Sequence, residues 1–453
     1  MSLDYEKKIV SGWGRTNFVN VNSFKPKNLI EIQEFIKARK NHSIPRGLGR
    51  SYGDSAQCGG GYIIDASNFN SFSLDKANST LTSAAGSVFS DILNYIIPKG
   101  FFLPVSPGTK NVTVGGAISA DVHGKNHHCD GSFANHVESI LLIDGNGILR
   151  KLSPKDNSTA DAFWATSGGM GLTGIIIEAT FKLIPISTSY ISVDTQKFDD
   201  LESLMDEMKK SDNYTRYSVA WIDSLDKKGR GILTTGNHTN FDDISDNKKF
   251  SKMSPLKYSN SDVPNTPSFL PNGILNNFTV GIFNQAWFSK APRLKKGEIQ
   301  SINSFFYPLD GVKNWNRIYG PKGFIQYQFV VPDEYQFLIS KILNSLRECK
   351  APSFLTVLKR FGNFNNGPLS FPQKGWTLAA DIPANNSGLY KKLDEIDQLI
   401  SKAGGRVYLA KDSRQSSKMF RECYLRLNEW LVQKKLLDPH NIFVSDLSKR
   451  LKI

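Results

Sequence analysis

Three glycine-rich segments within about 130 residues limit what this chain can fold into. The last of them, Gly169–Gly174, matches the G-x-G-x-x-G dinucleotide fingerprint. That fingerprint has its usual meaning only where it follows a strand and opens a helix. Here a helix-like segment precedes it, and the β-branched stretch Ile175–Phe181 follows it. The order argues against a Rossmann fold and indicates a different dinucleotide-binding architecture.

The first glycine-rich segment is RGLGRSYGD, at Arg46–Asp54, which combines three glycines with two arginines. Its spacing is G-x-G-x-x-x-G and no clear helix opens at its end, so it is also a poor Rossmann candidate. Glycines let a backbone come close to a ligand, and arginines suit a pyrophosphate. We predict a phosphate-gripping loop here, with a plain β-turn loop as the alternative.

The second segment is SPGTKNVTVGGAISADVHGKNHH, at Ser106–His128. It passes from a Pro-Gly turn through the β-branched run Val112–Val114 to the glycine pair Gly115-Gly116, and its polar tail surrounds His123. We predict a short strand that breaks at the glycine pair. A helix from Ala117 would then direct its unpaired N–H groups at an anion. The alternative is a tight turn followed by a polar loop.

At 453 residues the chain is expected to form two domains. Strands and helices alternate up to about Pro185, and an antiparallel sheet backed by helices is predicted beyond it. The polar segment at about 237–272 is predicted to be a mobile surface loop. The predicted strands of the second part and the C-terminal elements are Tyr190–Phe198, Tyr217–Asp223, Gly231–Thr235, Phe324–Val331, Ser353–Phe361, Gly375–Ile382, Arg406–Leu409 and a long helix near Ser417–Lys435.

The net charge of +14 favours anionic partners such as phosphates or lipid surfaces. The basic residues are scattered, so no nucleic-acid partner is expected. The four cysteines form no C-x-x-C pair, and the histidines show no H-E-x-x-H spacing, so neither a disulfide framework nor a metal site is predicted. The charged N-terminus is unlike a signal peptide, and no apolar run approaches the roughly 20 residues of a membrane span. A cytoplasmic protein, or one peripheral on the cytoplasmic membrane face, is expected.

The three glycine-rich segments, in this order, resemble the vanillyl-alcohol-oxidase (p-cresol methylhydroxylase) class of FAD enzymes. Further motifs are similar to the family of flavin subunits of decaprenylphosphoryl-β-D-ribose 2′-epimerases, and they extend over nearly the whole chain. They are GWGRT, WNRIYG, FIQYQFVVP, SFLTVLKRFG, LSFPQKGW and AKDSR.

This resemblance implies an α+β, two-domain fold, with an FAD-binding domain at 1–186 that is completed by 406–453. A substrate domain with an antiparallel sheet, 187–405, would be inserted between them. The implied reaction is FAD-dependent oxidation of the ribose 2′-hydroxyl of a polyprenylphosphoryl-β-D-ribose to a ketone. An NAD(P)H-dependent short-chain reductase partner would complete epimerisation to the arabinose donor for cell-envelope glycans. The alternatives are an FAD oxidase of soluble alditols or aldonolactones, and a non-enzymatic basic scaffold protein.

The resemblance also implies site residues. Lys411, Tyr52 and His123 would be catalytic, with Lys411 near the flavin either as a cation that offsets the charge of reduced flavin or as a base. FAD would be non-covalent, because Arg50 stands where related enzymes carry the linking histidine. Ala379 stands where some members carry a cysteine, so thiol-directed inhibitors should lose their target. The substrate would meet Gln326, Gln328, Lys359, Trp376 and Ala379. The residues implied to hold FAD are Arg46, Gly47, Leu48, Gly49, Arg50, Ser51, Tyr52, Gly53, Asp54, Pro107, Gly108, Thr109, Val114, Gly115, Gly116, Ala117, Ser119, His123, Gly124, Asn126, His127, Gly174, Ile175, Ile176, Tyr408 and Lys411.

Overall fold

The computed structural model describes residues 5–38, 42–245, 254–258, 263–267 and 269–453. Its strands, in chain order, are β1 (Tyr5–Ser11), β2 (Phe18–Phe24), β3 (Ser43–Arg46), β4 (Tyr62–Asp65), β5 (Phe72–Asp75), β6 (Thr80–Ala84), β7 (Phe101–Phe102), β8 (Val137–Ile143), β9 (Leu149–Leu152), β10 (Ile175–Lys182), β11 (Ile184–Pro185), β12 (Tyr190–Phe198), β13 (Tyr217–Ile222), β14 (Gly231–His238), β15 (Leu294–Ser301), β16 (Phe324–Val331), β17 (Thr356–Phe361), β18 (Gly375–Pro383) and β19 (Arg406–Val407).

The α-helices lie between these strands or follow the last of them. They are α1 (Leu29–Lys37), α2 (Phe89–Ile96), α3 (Val114–Ser119), α4 (His127–Asp130), α5 (Ala160–Thr166), α6 (Leu201–Ser211), α7 (Phe241–Ser245), α8 (Asn277–Lys290), α9 (Ile302–Phe306), α10 (Phe337–Glu348), α11 (Leu389–Lys402), α12 (Ser417–Cys423), α13 (Leu427–Leu437) and α14 (Asp446–Leu451). Among the described residues, no helix is long and apolar enough to cross a membrane.

The N-terminal part contains a mixed sheet of order β1-β2-β4-β3 and an antiparallel sheet of order β5-β6-β10-β8-β9. Helix α1 illustrates how the sequence builds this part. The side chain of Asn28 accepts a hydrogen bond from the N–H of Glu31 and so caps the helix, while Ile32, Phe35 and Ile36 form its buried stripe. The C-terminal segment returns to the same region, where Ser43 of β3 forms a parallel bridge with Phe443.

The remainder is built on a large antiparallel sheet of order β15-β12-β14-β13-β17-β18-β16-β19. Its members confirm the predicted antiparallel sheet with backing helices, and the chain as a whole is α+β. Apolar side chains of β16 and β18 pack on one face against α10 and α11, as Phe329, Leu378, Ile342 and Leu393 do in one buried cluster. The other face faces the N-terminal part, and it carries the polar residues that matter below.

Several sequence predictions need correction. Strand β16 was predicted to be half-buried, but every one of its residues is buried because both faces of the sheet are covered. The predicted strand Arg406–Leu409 shortens to β19, which pairs with β16 in the large sheet. The predicted long C-terminal helix is two helices, α12 and α13. The chain leaves helical geometry at Tyr424, whose hydroxyl donates to the carbonyl of Val407 at 2.8 Å.

The predicted mobile loop at about 237–272 is only partly described. His238 still belongs to β14, and α7 follows it directly. Residues 246–253, 259–262 and 268 lie outside the described residues. The prediction of mobility therefore stays a prediction.

Candidate active site

Parts of all three glycine-rich segments line one cavity, which encloses about 730 Å³ of empty space including its open mouth. Serine and threonine side chains and apolar side chains both line it. Its predicted lining residues are Arg46, Gly47, Leu48, Ser51, Gly115, Gly116, Ser119, Ile175 and Ile176. Sequence reasoning missed Pro45, Ser55, Ala56, Ala66, Ser67, Ala85, Gly86, Thr113, Ala120, Met170 and Gly171. A groove with hydroxyl groups, exposed glycine backbone and an arginine suits the phosphates and sugars of a dinucleotide cofactor.

The predicted strand that breaks at Gly115-Gly116 is wrong. Helix α3 already begins at Val114, with Thr113 as its cap. Its first amides are not free for an anion, because Val114 donates to Ser87, Gly115 to Ala85 and Gly116 to the hydroxyl of Thr113. The glycines instead serve close packing. A Cβ on Gly47 would lie 2.3 Å from the Thr113 hydroxyl, so the first two glycine-rich segments touch at this point.

The charged side chains of the first glycine-rich segment contact other residues of the protein. The Arg46 guanidinium donates to the carbonyls of Ala56 and Ser11 at 2.6 and 2.8 Å. Arg50 lies 3.9 Å above the ring of Trp13. Asp54 forms a bidentate ion pair with Arg450 at 2.9 and 2.8 Å, so its side chain is structural and not a cofactor ligand. Arg46 still lines the cavity, whereas Asp54 does not.

The C-terminal segment crosses the first glycine-rich segment at Tyr52 and Gly53. The N–H of Tyr52 donates to the carbonyl of Ala410 at 2.9 Å. A Cβ on Gly53 would lie only 1.8 Å from the carbonyl oxygen of Asp412, so only glycine fits there. This crossing brings Lys411 over Tyr52, with Nζ 3.7 Å from the ring centroid. Two of the predicted catalytic residues therefore lie together.

The strand register explains the other half of the site. Gln326 pairs with Asp381 and Gln328 with Ala379, while Lys359 pairs with Thr377. Directly paired residues share one face of a sheet, so these polar side chains lie on the face opposite the helices. Gln326 donates to Asp381 at 2.5 Å, and Gln328 donates to Thr377 at 3.2 Å.

His123 connects this sheet face to the second glycine-rich segment. Its Nε2 lies 3.0 Å from Nε2 of Gln328, and its Nδ1 lies 3.3 Å from Nζ of Lys359. The ring also packs against Phe361 and Tyr408, with centroids 4.7 and 5.4 Å away. A histidine held at both nitrogens and on its faces has a defined orientation.

Burial controls the protonation of this cluster. Desolvation, and then the neighbouring Lys359, lowers the pKa of His123 well below its ordinary value, so the imidazole is neutral near pH 7. Burial alone lowers the pKa of Lys359 to about 8. Burial also lowers the pKa of Lys411, although the nearby Asp381 opposes this shift. The pKa of Tyr52 is raised, chiefly by burial, so its hydroxyl stays protonated.

Some predicted residues do not reach the site. Trp376 pairs with Val331 and Arg360, one residue out of phase with the polar face, and it is buried in the helix-backed core. It cannot line the substrate site from there. Asn126 donates to Pro104 and Asp130, Thr109 donates to Asp310, and Val114 and Ala117 belong to the apolar core.

Three residues that sequence reasoning missed belong to the cluster. Asp381 is fully buried, burial raises its pKa, and its Oδ2 has no partner among the described residues. Thr377 accepts from Gln328. Burial lowers the pKa of Lys125 to about 7, and the positive charge of nearby Lys359 contributes to this shift. The alternation of β18 could have revealed Asp381 and Thr377, because both share the phase of Ala379.

Chemically, the cavity suits a dinucleotide, and the cluster beside it offers lysines of lowered pKa, a neutral histidine and a protonated tyrosine. Residues 23–153 match the model of the FAD-binding domain family. Fold and site together define an FAD-dependent oxidoreductase.

Proteins with similar sequences identify the family within this class of oxidoreductases. The chain is 39% identical over 98% of both sequences to decaprenylphosphoryl-β-D-ribose oxidase of Mycolicibacterium smegmatis. It is 32% identical to an uncharacterised Streptomyces coelicolor protein, over 79% of this chain and 97% of that one. Mouse L-gulonolactone oxidase is 26% identical over 42% of this chain and 44% of its own. The chain belongs to the decaprenylphosphoryl-β-D-ribose oxidase family.

Proposed function

We propose that this protein oxidises the ribose 2′-hydroxyl of a polyprenylphosphoryl-β-D-ribose to the 2′-keto sugar, with FAD as its non-covalent cofactor. The observation that carries the proposal is the cluster of Lys411, Tyr52, His123, Gln328 and Lys359, which adjoins the cavity because Tyr52 directly follows Ser51 of its lining. The similarity to decaprenylphosphoryl-β-D-ribose oxidase, which covers almost the whole of both chains, supports the choice of substrate.

The residues that would hold FAD surround the cavity. Gly47 and Gly116 expose backbone, Ser51 and Ser119 offer hydroxyl groups, and Ile176 contributes an apolar wall. Arg46 supplies positive charge at the cavity, although backbone carbonyls share its guanidinium. When bound, FAD supplies the acceptor for the hydride that leaves the sugar carbon.

Lys411 would remove the hydroxyl proton. Burial favours its neutral amine, which can accept a proton at Nζ. The resulting ammonium would be stabilised by the Tyr52 ring face and by the charge of Asp381. The same residue then provides a positive charge next to the reacting atoms, so the base and cation roles follow each other.

Substrate orientation would fall to the polar face of the sheet. The Gln328 amide and the Lys359 amine can meet sugar hydroxyls or the phosphate, and both are oriented through His123. Lys125 adds a second basic group near Lys359. Two lysines near one point suit the negative charge of a phosphodiester.

The finer assignments belong to this proposal as well. The FAD-binding domain would comprise 1–186 and 406–453, with the substrate domain at 187–405. The boundary at 406 is approximate, because Arg406 and Val407 pair with the large sheet. A lipid-linked substrate would bring the enzyme to the cytoplasmic face of a membrane, and a short-chain reductase would consume its keto product.

Loss of the yellow flavin absorbance tests the proposal. Purified protein loaded with FAD is mixed anaerobically with a polyprenylphosphoryl ribose or with xylitol. Bleaching by the ribosyl lipid is expected. Bleaching by xylitol alone would support the alditol oxidase instead, and protein that takes up no FAD would argue against any flavoenzyme.

A further inference from the structure

Helix α8 presents four large apolar side chains to solvent. On its inner side Val280, Asn284 and Phe288 are buried, and Asn284 donates to Asp223 at 2.7 Å. On its outer side Phe278 and Ile282 are 75% and 57% exposed, and Phe283 and Trp287 are exposed as well. A surface helix normally carries polar residues on its outer side, so the outer side of α8 is unusual. Contiguous exposed apolar groups of this kind mark interaction surfaces.

The charged residues around this surface differ from those of an ordinary protein–protein interface. The 35 residues from Val263 to Gly297 contain no Asp or Glu. Lys290, Arg293, Lys295 and Lys296 follow the apolar residues closely, and all four are exposed. Although Lys295 also pairs with Glu298, an apolar and aromatic face followed by exposed basic residues is complementary to an anionic lipid surface.

The same face is connected to the predicted catalytic residues. Ring contacts run from Phe283 to Phe354 at 5.5 Å, then to Tyr319 at 6.0 Å and to Phe324 at 4.1 Å. Phe324 meets Tyr52 at 5.4 Å, and Tyr52 lies under Lys411. Tyr319 and Phe324 are buried, so these rings form a packed connection between α8 and the catalytic residues.

We infer that the outer face of α8, with the basic residues 290–296, docks on an anionic bilayer that carries the prenyl chain of the substrate. The inference rests on the proposed function for the identity of that chain. The docking surface itself depends only on the exposed residues and their charge.

The test compares two pairs of exposed apolar residues with the same i,i+4 spacing. F278E/I282E changes the proposed surface. V432E/L436E changes α13, where Val432 and Leu436 are 58% and 63% exposed. Both variants and the wild type, loaded with FAD, are sedimented with phosphatidylglycerol vesicles and with phosphatidylcholine vesicles, at low and at high salt. Flavin content and circular dichroism check that each variant is folded.

The wild type and V432E/L436E are expected to bind the anionic vesicles, less at high salt, and F278E/I282E at least tenfold more weakly. Equal binding by all three, or no binding by the wild type, would overturn the inference. Wild-type self-association that F278E/I282E abolishes, without vesicle binding, would overturn it in favour of a protein interface.

Flavin bleaching by a ribosyl phosphate with a short, water-soluble isoprenoid separates this inference from the proposed function. F278E/I282E should bleach with this probe like the wild type, because its catalytic residues are unchanged. If no form bleaches, the proposed function fails even where vesicle binding follows the expected pattern.

Discussion

Lys411 lies directly over the ring of Tyr52, with Nζ 3.7 Å from its centroid, although 359 positions separate them in the chain. The backbone hydrogen bond from Tyr52 to Ala410 holds the two segments together. The ring face favours the ammonium form of the lysine, whereas burial favours the amine. A lysine balanced in this way can exchange a proton near neutral pH.

Replacement of Lys411 by Met is expected to slow flavin reduction by about 10²–10⁴-fold, which is the usual contribution of a positioned acid–base group. FAD content should be kept, since the cavity is unchanged. Stopped-flow loss of flavin absorbance measures the rate. Lys411→Arg keeps the positive charge, but a guanidinium cannot act as a base near neutral pH. It should be nearly as slow; a rate close to that of the wild type in either variant would refute the role of base.

Asp381 should set the pH range in which Lys411 works. The neutral amine is the active form, so the rate of flavin reduction should rise with pH through the pKa of Lys411. The carboxylate charge of Asp381 raises that pKa. Asp381→Asn removes the charge, so the rising limb of the pH profile should move to lower pH.

Asp144→Asn is the matched control, because Asp144 is also a fully buried carboxylate but lies in the β8–β9 hairpin. Its profile should coincide with that of the wild type. A limb that stays in place in Asp381→Asn, or moves to higher pH, would contradict the coupling between the two residues.

Gly53→Ala is expected to lower the free energy of unfolding by about 1–3 kcal/mol, as overpacking does elsewhere. The new methyl group would lie 1.8 Å from the carbonyl oxygen of Asp412, so the segment that carries Lys411 must move. Flavin reduction should slow as well. Gly281→Ala is the control, since outside its own helix the new Cβ would meet only Leu225 Cδ1, at 3.8 Å, and alanine favours a helix by up to about 1 kcal/mol. Equal denaturation midpoints for the two variants would argue against the close approach.

The sequence predicted the elements with strong periodicity well. Strands β12 and β16 lie where hydrophobic patterns indicated, because these patterns are local. The predictions from the sequence were wrong where contacts between distant parts of the chain determine the local structure. Nothing near Val114 indicates that Ser87 and Ala85 occupy the first amides of α3. Trp376 was assigned to the substrate through its place in a motif, whereas strand phase puts it on the other face. Two motifs identified Lys411 and Gln328, whereas Asp381 lies outside the motifs and is recognised by its strand phase, which it shares with Ala379.

The flavin is expected to leave the protein when the chain unfolds. By its resemblance to the vanillyl-alcohol-oxidase class, Arg50, which stands over Trp13, takes the place of a linking histidine, and a guanidinium would form no bond to the flavin ring. Precipitation with acid, followed by centrifugation, should leave all the flavin absorbance in the supernatant and a colourless pellet. A yellow pellet would show a covalent link through another residue.

Ala379→Cys should create sensitivity to thiol-directed inhibitors that the wild type lacks. Ala379 pairs with both Gln328 and Val357, so a thiol there would lie on the polar face of the sheet, within the candidate site. The native exposed cysteine, Cys129, is a poor competitor, because burial and the neighbouring Asp130 raise its pKa to about 12. Incubation with a thiol-reactive substrate analogue, followed by mass spectrometry and a flavin-reduction assay, should show one adduct and loss of activity in the variant alone. Cys129→Ser in the Ala379→Cys background should leave that adduct in place; an adduct that disappears with Cys129 would move the reactive thiol away from the site.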